Sequence, residues 1–250
     1  MTHPAAQRPP SPPHPSMRRF VVFTLALACA PLVPAAEPPA PLVKNTTPIS
    51  LFNGRDFEGL HIYAESPTAD PAAGWKIEDG MLRGLGVGRG YVRTTTAYAD
   101  YRLRLEWRWP ARAANSGVLL NVVGPDLIWP KCIEAQLAAG RAGDFATFSD
   151  ARSKEEIVSR NPSGVSTGRL NRTAASPVEK TPGEWNLYEI TVSGDTITAS
   201  VNGVLVNRMT GVQPSAGMIA FQSEGAPIDF RNMELTPLPA AKDLNLPMPR

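Results

Sequence analysis

The sequence predicts an all-β protein, an antiparallel β-sandwich with a long loop and at most short helices. Three observations carry this. Apolar and polar residues alternate cleanly from Tyr101 to Trp109, the pairs Asp79-Gly80 and Asn202-Gly203 sit between short β-rich runs, and no stretch keeps a long helical period.

Taken in chain order, the first segment is a leader. Met17-Arg18-Arg19, the apolar run Phe20 to Ala30 and the small residues Ala35 and Ala36 read as a secretory signal, with Met17 the expected initiator after a Pro-rich extension. The apolar run is too short to span a bilayer, so no transmembrane segment is expected. The destination is then periplasmic or secreted. Leu25 to Cys29 also resembles a lipoprotein box, in which Cys29 would carry lipid. Residues 37–48 form a tether, 49–238 the sandwich and 239–250 a tail.

Within the sandwich, Trp75 to Glu78 and Met81 to Arg83 form a hairpin, because Asp79-Gly80 accepts the positive φ angles of a two-residue turn. Ile77 then faces Leu82. In Tyr101 to Trp109 the Tyr, Leu and Trp side chains point to the core, while Arg102, Arg104, Glu106 and Arg108 form a charge ladder outside. Trp185 to Val192, Thr196 to Val201 and Val204 to Val206 make a meander, with Val201 expected opposite Val204 and Ala199 opposite Val206. Gly217 to Gln222 and Ile228 to Leu235 complete the strands. Arg152 to Arg160 is expected as one short helix, followed by a Ser/Thr/Pro-rich loop to Gly183. Trp185 is expected to plug the sandwich, and His61 to be an ordinary rim residue.

Composition excludes several functions. Loss of the leader removes three arginines and no acid, turning the formal charge of +2 into −1. No nucleic-acid footprint remains. Cys132 and His61 are then the sole cysteine and histidine, so an internal disulfide and a multi-histidine zinc site are both ruled out.

The chemistry concentrates in Cys132-Ile133-Glu134-Ala135-Gln136. Alternation puts Glu134 and Gln136 on one face and Ile133 and Leu137 on the other. A carboxylate and an amide on a polar sheet face suit a polyhydroxylated ligand, a sugar above all. Trp129, beside Pro130, is a candidate for stacking on a sugar or for capping a core edge. Asn115-Ser116-Gly117 reads either as part of a site or as a turn entering a strand.

Several phrases in order resemble the 3-keto-disaccharide hydrolase family. They are Leu51 to Asp56, Trp75 to Gly80, Tyr98 to Tyr101, Asn115 to Val118, Ile133 to Gln136, Gly183 to Asn186, Val201 to Gly203 and Phe230 to Asn232. The resemblance covers Ile49 to Leu238. It implies a concanavalin-like jelly roll, export from a bacterium, and action on a glycoside already oxidised at carbon 3. Two departures stand out: Asn121 where many members have Arg, and Gly140 to Phe145 in place of a Gly-x-Ile-Tyr phrase.

Ordinary retaining hydrolysis needs two carboxyl groups flanking the bond, and here Gln136 stands where a second acid is expected. Asp144 or Glu106 would have to reach in. A 3-keto sugar relaxes that requirement, since the ketone acidifies carbon 2 and one base can drive elimination before water adds back. Parity and resemblance together assign Glu134 as the base, Arg108, Lys131 or Asn115 as donors to the oxyanion, and Gln136 as an orienting group; Asp144 and Asn121 complete the candidate substrate contacts. Glu134 and Asp144 could share a divalent cation, but no metal-specific spacing exists and no cofactor is predicted. Two other readings stay open: a carbohydrate-binding module without catalysis, and an adhesive surface domain.

Overall fold

Alternation in the chain becomes two antiparallel eight-stranded sheets. The computed structural model describes residues 47–66, 70–155, 157–160, 166–174 and 177–240; the leader, the lipoprotein box and the last ten residues lie outside them. The strands are β1 (Ile49–Ser50), β2 (Leu60–Ala64), β3 (Trp75–Glu78), β4 (Met81–Gly84), β5 (Arg89–Thr94), β6 (Tyr101–Arg108), β7 (Gly117–Val123) and β8 (Lys131–Gln136), then β9 (Phe145–Phe148), β10 (Ile157–Arg160), β11 (Ser166–Leu170), β12 (Asn186–Ser193), β13 (Thr196–Val201), β14 (Val204–Met209), β15 (Met218–Glu224) and β16 (Ile228–Pro237). The first sheet runs β14-β13-β12-β6-β16-β4-β3, with β1 on β16; the second runs β10-β11-β9-β8-β7-β15-β5-β2. Among the described residues the helical content is one 3₁₀ turn, Pro71–Gly74, capped by the Asp70 side chain. None of it is long and apolar enough to cross a membrane.

The inner faces of the sheets make one core. Leu103, Leu105 and Trp107 of β6 and Tyr188, Ile190 and Val192 of β12 meet Val118 and Leu120 of β7, Ile133 and Ala135 of β8 and Phe221 of β15. Trp107 and Trp109 are buried there in an edge-to-face pair with centroids 6.0 Å apart. Both hairpin turns use positive φ at both central residues, 52° and 72° at Asp79 and Gly80 and 50° and 81° at Asn202 and Gly203.

Three expectations need correction. Residues 157–160 are not helical: they form strand β10 on β11, which itself lies inside the predicted loop. Val201 does face Val204, but a bulge after Ala199 shifts the register, so that Ala199 faces Asn207 rather than Val206. Trp185 does not plug the sandwich; it lies outside between the guanidinium groups of Arg108 and Arg231, 4.5 and 3.9 Å from its ring centre. His61, at the rim as expected, also pairs with Asp126 at 2.8 Å.

The second sheet is buried on both sides. Its outer face carries Tyr91, Leu119, Val122, Cys132, Ala146, Phe148 and Ala220 as a separate apolar cluster, with Tyr63, Trp129 and Met218 packed on it. The covering element is the β7–β8 connection, residues 124–130. Trp129 stacks on Phe148 with centroids 5.0 Å apart and planes at 15°. Asp126 accepts hydrogen bonds from Tyr91 (2.9 Å) and Arg93 (3.0 Å) and pairs with His61 (2.8 Å). The strap therefore has an aromatic anchor at one end and an ionic one at the other.

Candidate active site

The outer face of the second sheet is where the reactive side chains gather, and strand pairing explains why. Directly opposed residues share a face, so one row runs across seven strands: Arg169, Ala146, Glu134, Leu119, Ala220, Arg93 and His61 span β11, β9, β8, β7, β15, β5 and β2 in turn. A second row holds Gln136 opposite Gly117, and Gln222 opposite Tyr91. Small residues in the middle leave room above the sheet for the Glu134 side chain.

Glu134 pairs with Leu119, but its carboxyl lies over Gly117, two residues nearer Asn115. A β-carbon at Gly117 would stand 2.7 Å from Glu134 Cγ and would collide with Oε1. Gln136 Nε2 donates to Glu134 Oε2 at 3.2 Å. The orientation of that amide is set, because its Oε1 accepts from the N–H groups of Leu137 (2.9 Å) and Ala138 (2.8 Å).

Electrostatics distinguish this carboxyl. Only 2% of Glu134 is exposed. Burial, and then the negative charge of Glu224, push its pKa up to about 8, with Arg169 and Arg141 pulling the other way. At neutral pH it is mostly protonated, in the range where one group can serve as both acid and base. Burial and the Glu134 charge also push up the Cys132 thiol, so it is no nucleophile.

Three buried polar atoms on the Glu134 face, by strand register, have no partner among the described residues: Arg169 Nη1, Gln222 Oε1 and Asn115 Oδ1. Buried polar groups are ordinarily satisfied, so such atoms on one face mark a place where a ligand would complete them.

The structure brings together only part of the set expected from sequence. Gln136 touches Glu134 directly. Asn115 reaches the site through Glu224, to whose Oε2 its Nδ2 donates at 2.8 Å. Trp129 is on the same face, half-buried on Phe148. The rest are elsewhere. Arg108 belongs to the other sheet, where its Nε holds Asp229 at 2.9 Å. Glu106 is on that sheet too, bonded to Arg231 at 2.6 Å. Lys131 shares strand parity with Ile133, so it leaves β8 on the side opposite Glu134. Asn121 is buried in the β7 bulge at φ 54° and donates to the Pro214 carbonyl at 2.9 Å. Asp144 is buried as a loop clamp, its Oδ1 accepting from the Arg172 N–H at 2.9 Å. No group of three or more metal-binding side chains occurs among the described residues.

Sequence reasoning missed Glu224, Gln222, Arg169 and Arg141, and also the cluster of His61, Tyr91, Arg93 and Asp126. Some signals were present. Arg89, Tyr91 and Arg93 alternate on one face, and carrying β15 two residues past Gln222 would have put Glu224 on that residue's face.

A β-sandwich with a buried acid, one unpaired donor and two unpaired acceptors on one sheet face suits a carbohydrate-active domain. The chain belongs to the 3-keto-alpha-glucoside-1,2-lyase-like domain family, whose model matches residues 47–236. Among solved structures it is similar to a "putative glycosyl hydrolase" from Parabacteroides distasonis, at 20% identity and TM-score 0.55, over 77% of this chain and 94% of that one. A second protein of that description from the same organism gives 21% identity and TM-score 0.55, covering 77% and 100% of the two chains. A native glycosidic hydrolase gives 12% identity and TM-score 0.50, covering 78% and 98%. At these identities the likeness concerns the fold. Among curated protein sequences none matches.

Proposed function

We propose that this protein cleaves glycosides whose sugar carries a ketone at carbon 3, by elimination across carbons 1 and 2 followed by addition of water, with Glu134 as a proton-transfer group. The observation that carries the reading is the Glu134 carboxyl itself: buried, held by Gln136, and with its pKa pushed up to about 8. Ordinary cleavage by two acids on β8 is disfavoured because Gln136 occupies the second position. Arg169, Gln222 and Asn115 supply unpaired polar atoms for the ketone and hydroxyl groups of such a sugar. Family membership supports the same substrate class. The leader from Met17 to Ala36 adds export, to the periplasm or beyond, to the reading.

The test is release of aglycone from a panel of 3-keto-glucosides by the wild-type chain and by Glu134→Gln, with and without chelator. A loss of at least 100-fold in the variant is expected on glycosides with alkyl leaving groups; retained turnover of these removes Glu134 from the role. One observation favours a second reading, a carbohydrate-binding module without turnover: a carboxyl only 2% exposed has little surface to offer a substrate. In that case the wild-type chain binds sugars and releases nothing from any of them.

A further inference from the structure

We propose that Glu224 is the second proton-transfer group of this site, acting as the base at carbon 2 while Glu134 serves as the acid at the leaving oxygen. This rests on the 3-keto-glycoside reading and assigns its two proton transfers to two residues.

Placement comes first. Glu224 is the last residue of β15, and its backbone bridges to Asn115 just before β7 begins. Gln222 shares a face with Tyr91, and Glu224, two residues on, shares it with Gln222. Glu134 starts two strands away, but its carboxyl leans over Gly117 toward the Asn115 end. The two acids therefore approach each other across a position where the chain has no side chain. Glu224 is near enough for its charge to act on Glu134, after burial, and Arg169 and Arg141 are the cations that oppose it.

The two environments differ in the way a division of labour requires. Glu134 is almost wholly buried and mostly protonated at neutral pH; Glu224 is half-buried at the rim. One Glu224 oxygen, Oε2, is held by Asn115 Nδ2 at 2.8 Å, which fixes the carboxylate in place. Paired acids in unequal surroundings commonly take opposite roles.

The chemistry balances with these two groups alone. Glu224 takes the proton from carbon 2, and the C–H electron pair becomes the double bond between carbons 1 and 2, conjugated with the ketone. The bond from carbon 1 to the glycosidic oxygen breaks, and that oxygen takes the Glu134 proton and departs as an alcohol. Water then adds its oxygen to carbon 1 and gives a proton to Glu134, while Glu224 returns its proton to carbon 2. Both residues end as they began.

The experiment compares methyl and 4-nitrophenyl 3-keto-glucosides, run in D2O with carbon-2 exchange followed by NMR. Nitrophenolate leaves without an acid, so Glu134→Gln should lose roughly 100-fold on the methyl glycoside and less than tenfold on the nitrophenyl one. Glu224→Gln should lose roughly 100-fold on both and should abolish deuterium exchange at carbon 2. Asn115→Ala should slow both substrates about tenfold through misplacement of Glu224, with the leaving-group dependence unchanged. Melting curves accompany every variant. Glu224→Asp, which keeps the charge, should exchange slowly but measurably, and it serves as the comparison if the Gln variant unfolds. Glu224→Gln or Glu224→Asp within threefold of wild type on both glycosides overturns the assignment, and so does a leaving-group effect that follows Glu224 instead of Glu134. A wild-type chain inert toward both glycosides defeats the underlying reading instead.

Discussion

Gln136 is oriented by its own backbone toward Glu134. Two N–H groups, of Leu137 and Ala138, occupy the amide oxygen, so the amide nitrogen has one direction left and meets Glu134 Oε2 at 3.2 Å. The acid is thus positioned by a neighbour two residues along the same strand, itself oriented by the two residues that follow β8.

Gly117→Ala should test whether the lean of that carboxyl matters. The added methyl meets Glu134 Cγ at 2.7 Å and its carboxyl closer still, so the acid must rotate away or the strands must part. We expect a loss of about 1–3 kcal/mol in unfolding free energy and at least a tenfold fall in turnover, read by chemical denaturation and the 3-keto-glucoside assay. An unchanged variant would show that the carboxyl has room to spare.

Stability should depend on pH through Glu134. Its folded pKa of about 8 lies above the ordinary value of 4.5, so the folded state holds a proton that the unfolded chain has released. The contribution is complete below about pH 4.5 and is lost as pH rises toward 8. Glu134→Gln cannot ionise, so its melting temperature should exceed that of wild type at pH 8.5 by several degrees. For a chain of this size, 1 kcal/mol corresponds to about 2–4 °C. The difference should shrink at pH 5. Parallel melting curves across this range would contradict the raised pKa.

Asp126→Asn should loosen the strap. Burial alone would raise the Asp126 pKa, but hydrogen bonds from Arg93 and Tyr91, with the Arg93 and His61 charges, outweigh it and hold the carboxyl below its ordinary range. The stability it confers is present above the unfolded pKa near 4 and is lost as pH falls through the lower folded value. At pH 7 the variant should lose about 1–3 kcal/mol and should become easier to cleave by protease within residues 124–130. Equal protease resistance would show that Trp129 alone holds the strap.

Arg169→Met should separate activity from folding. Its Nη1 is buried without a partner among the described residues, and removing such a donor costs the fold little, so the melting temperature should stay within about 2 °C of wild type. Turnover should fall at least tenfold if that nitrogen meets the ketone or a hydroxyl. Unaltered kinetics would remove Arg169 from the site.

Much of the architecture was legible because strand alternation and two-residue turns are local properties. The hairpin at Asp79-Gly80, the facing pair Ile77 and Leu82, and the inward Trp107 needed only neighbouring residues. The register slip at Ala199 and the strand at 157–160 were not legible, since a bulge and an edge pairing depend on the partner strand. Trp185 was misplaced for a similar reason: two arginines from different strands, Arg108 and Arg231, provide its surroundings.

For the site, the sequence alone determined that Glu134 and Gln136 share a face, because side chains two apart on a strand must. The order of strands decided everything beside them. It placed Arg169, Gly117 and Glu224 next to that pair and carried Arg108 to the opposite sheet. Strand order is set by contacts between residues tens of positions apart, which leave no periodic trace in the chain. The raised pKa of Glu134 belongs to the same level, since burial and the charge of Glu224 exist only once the sheets have closed.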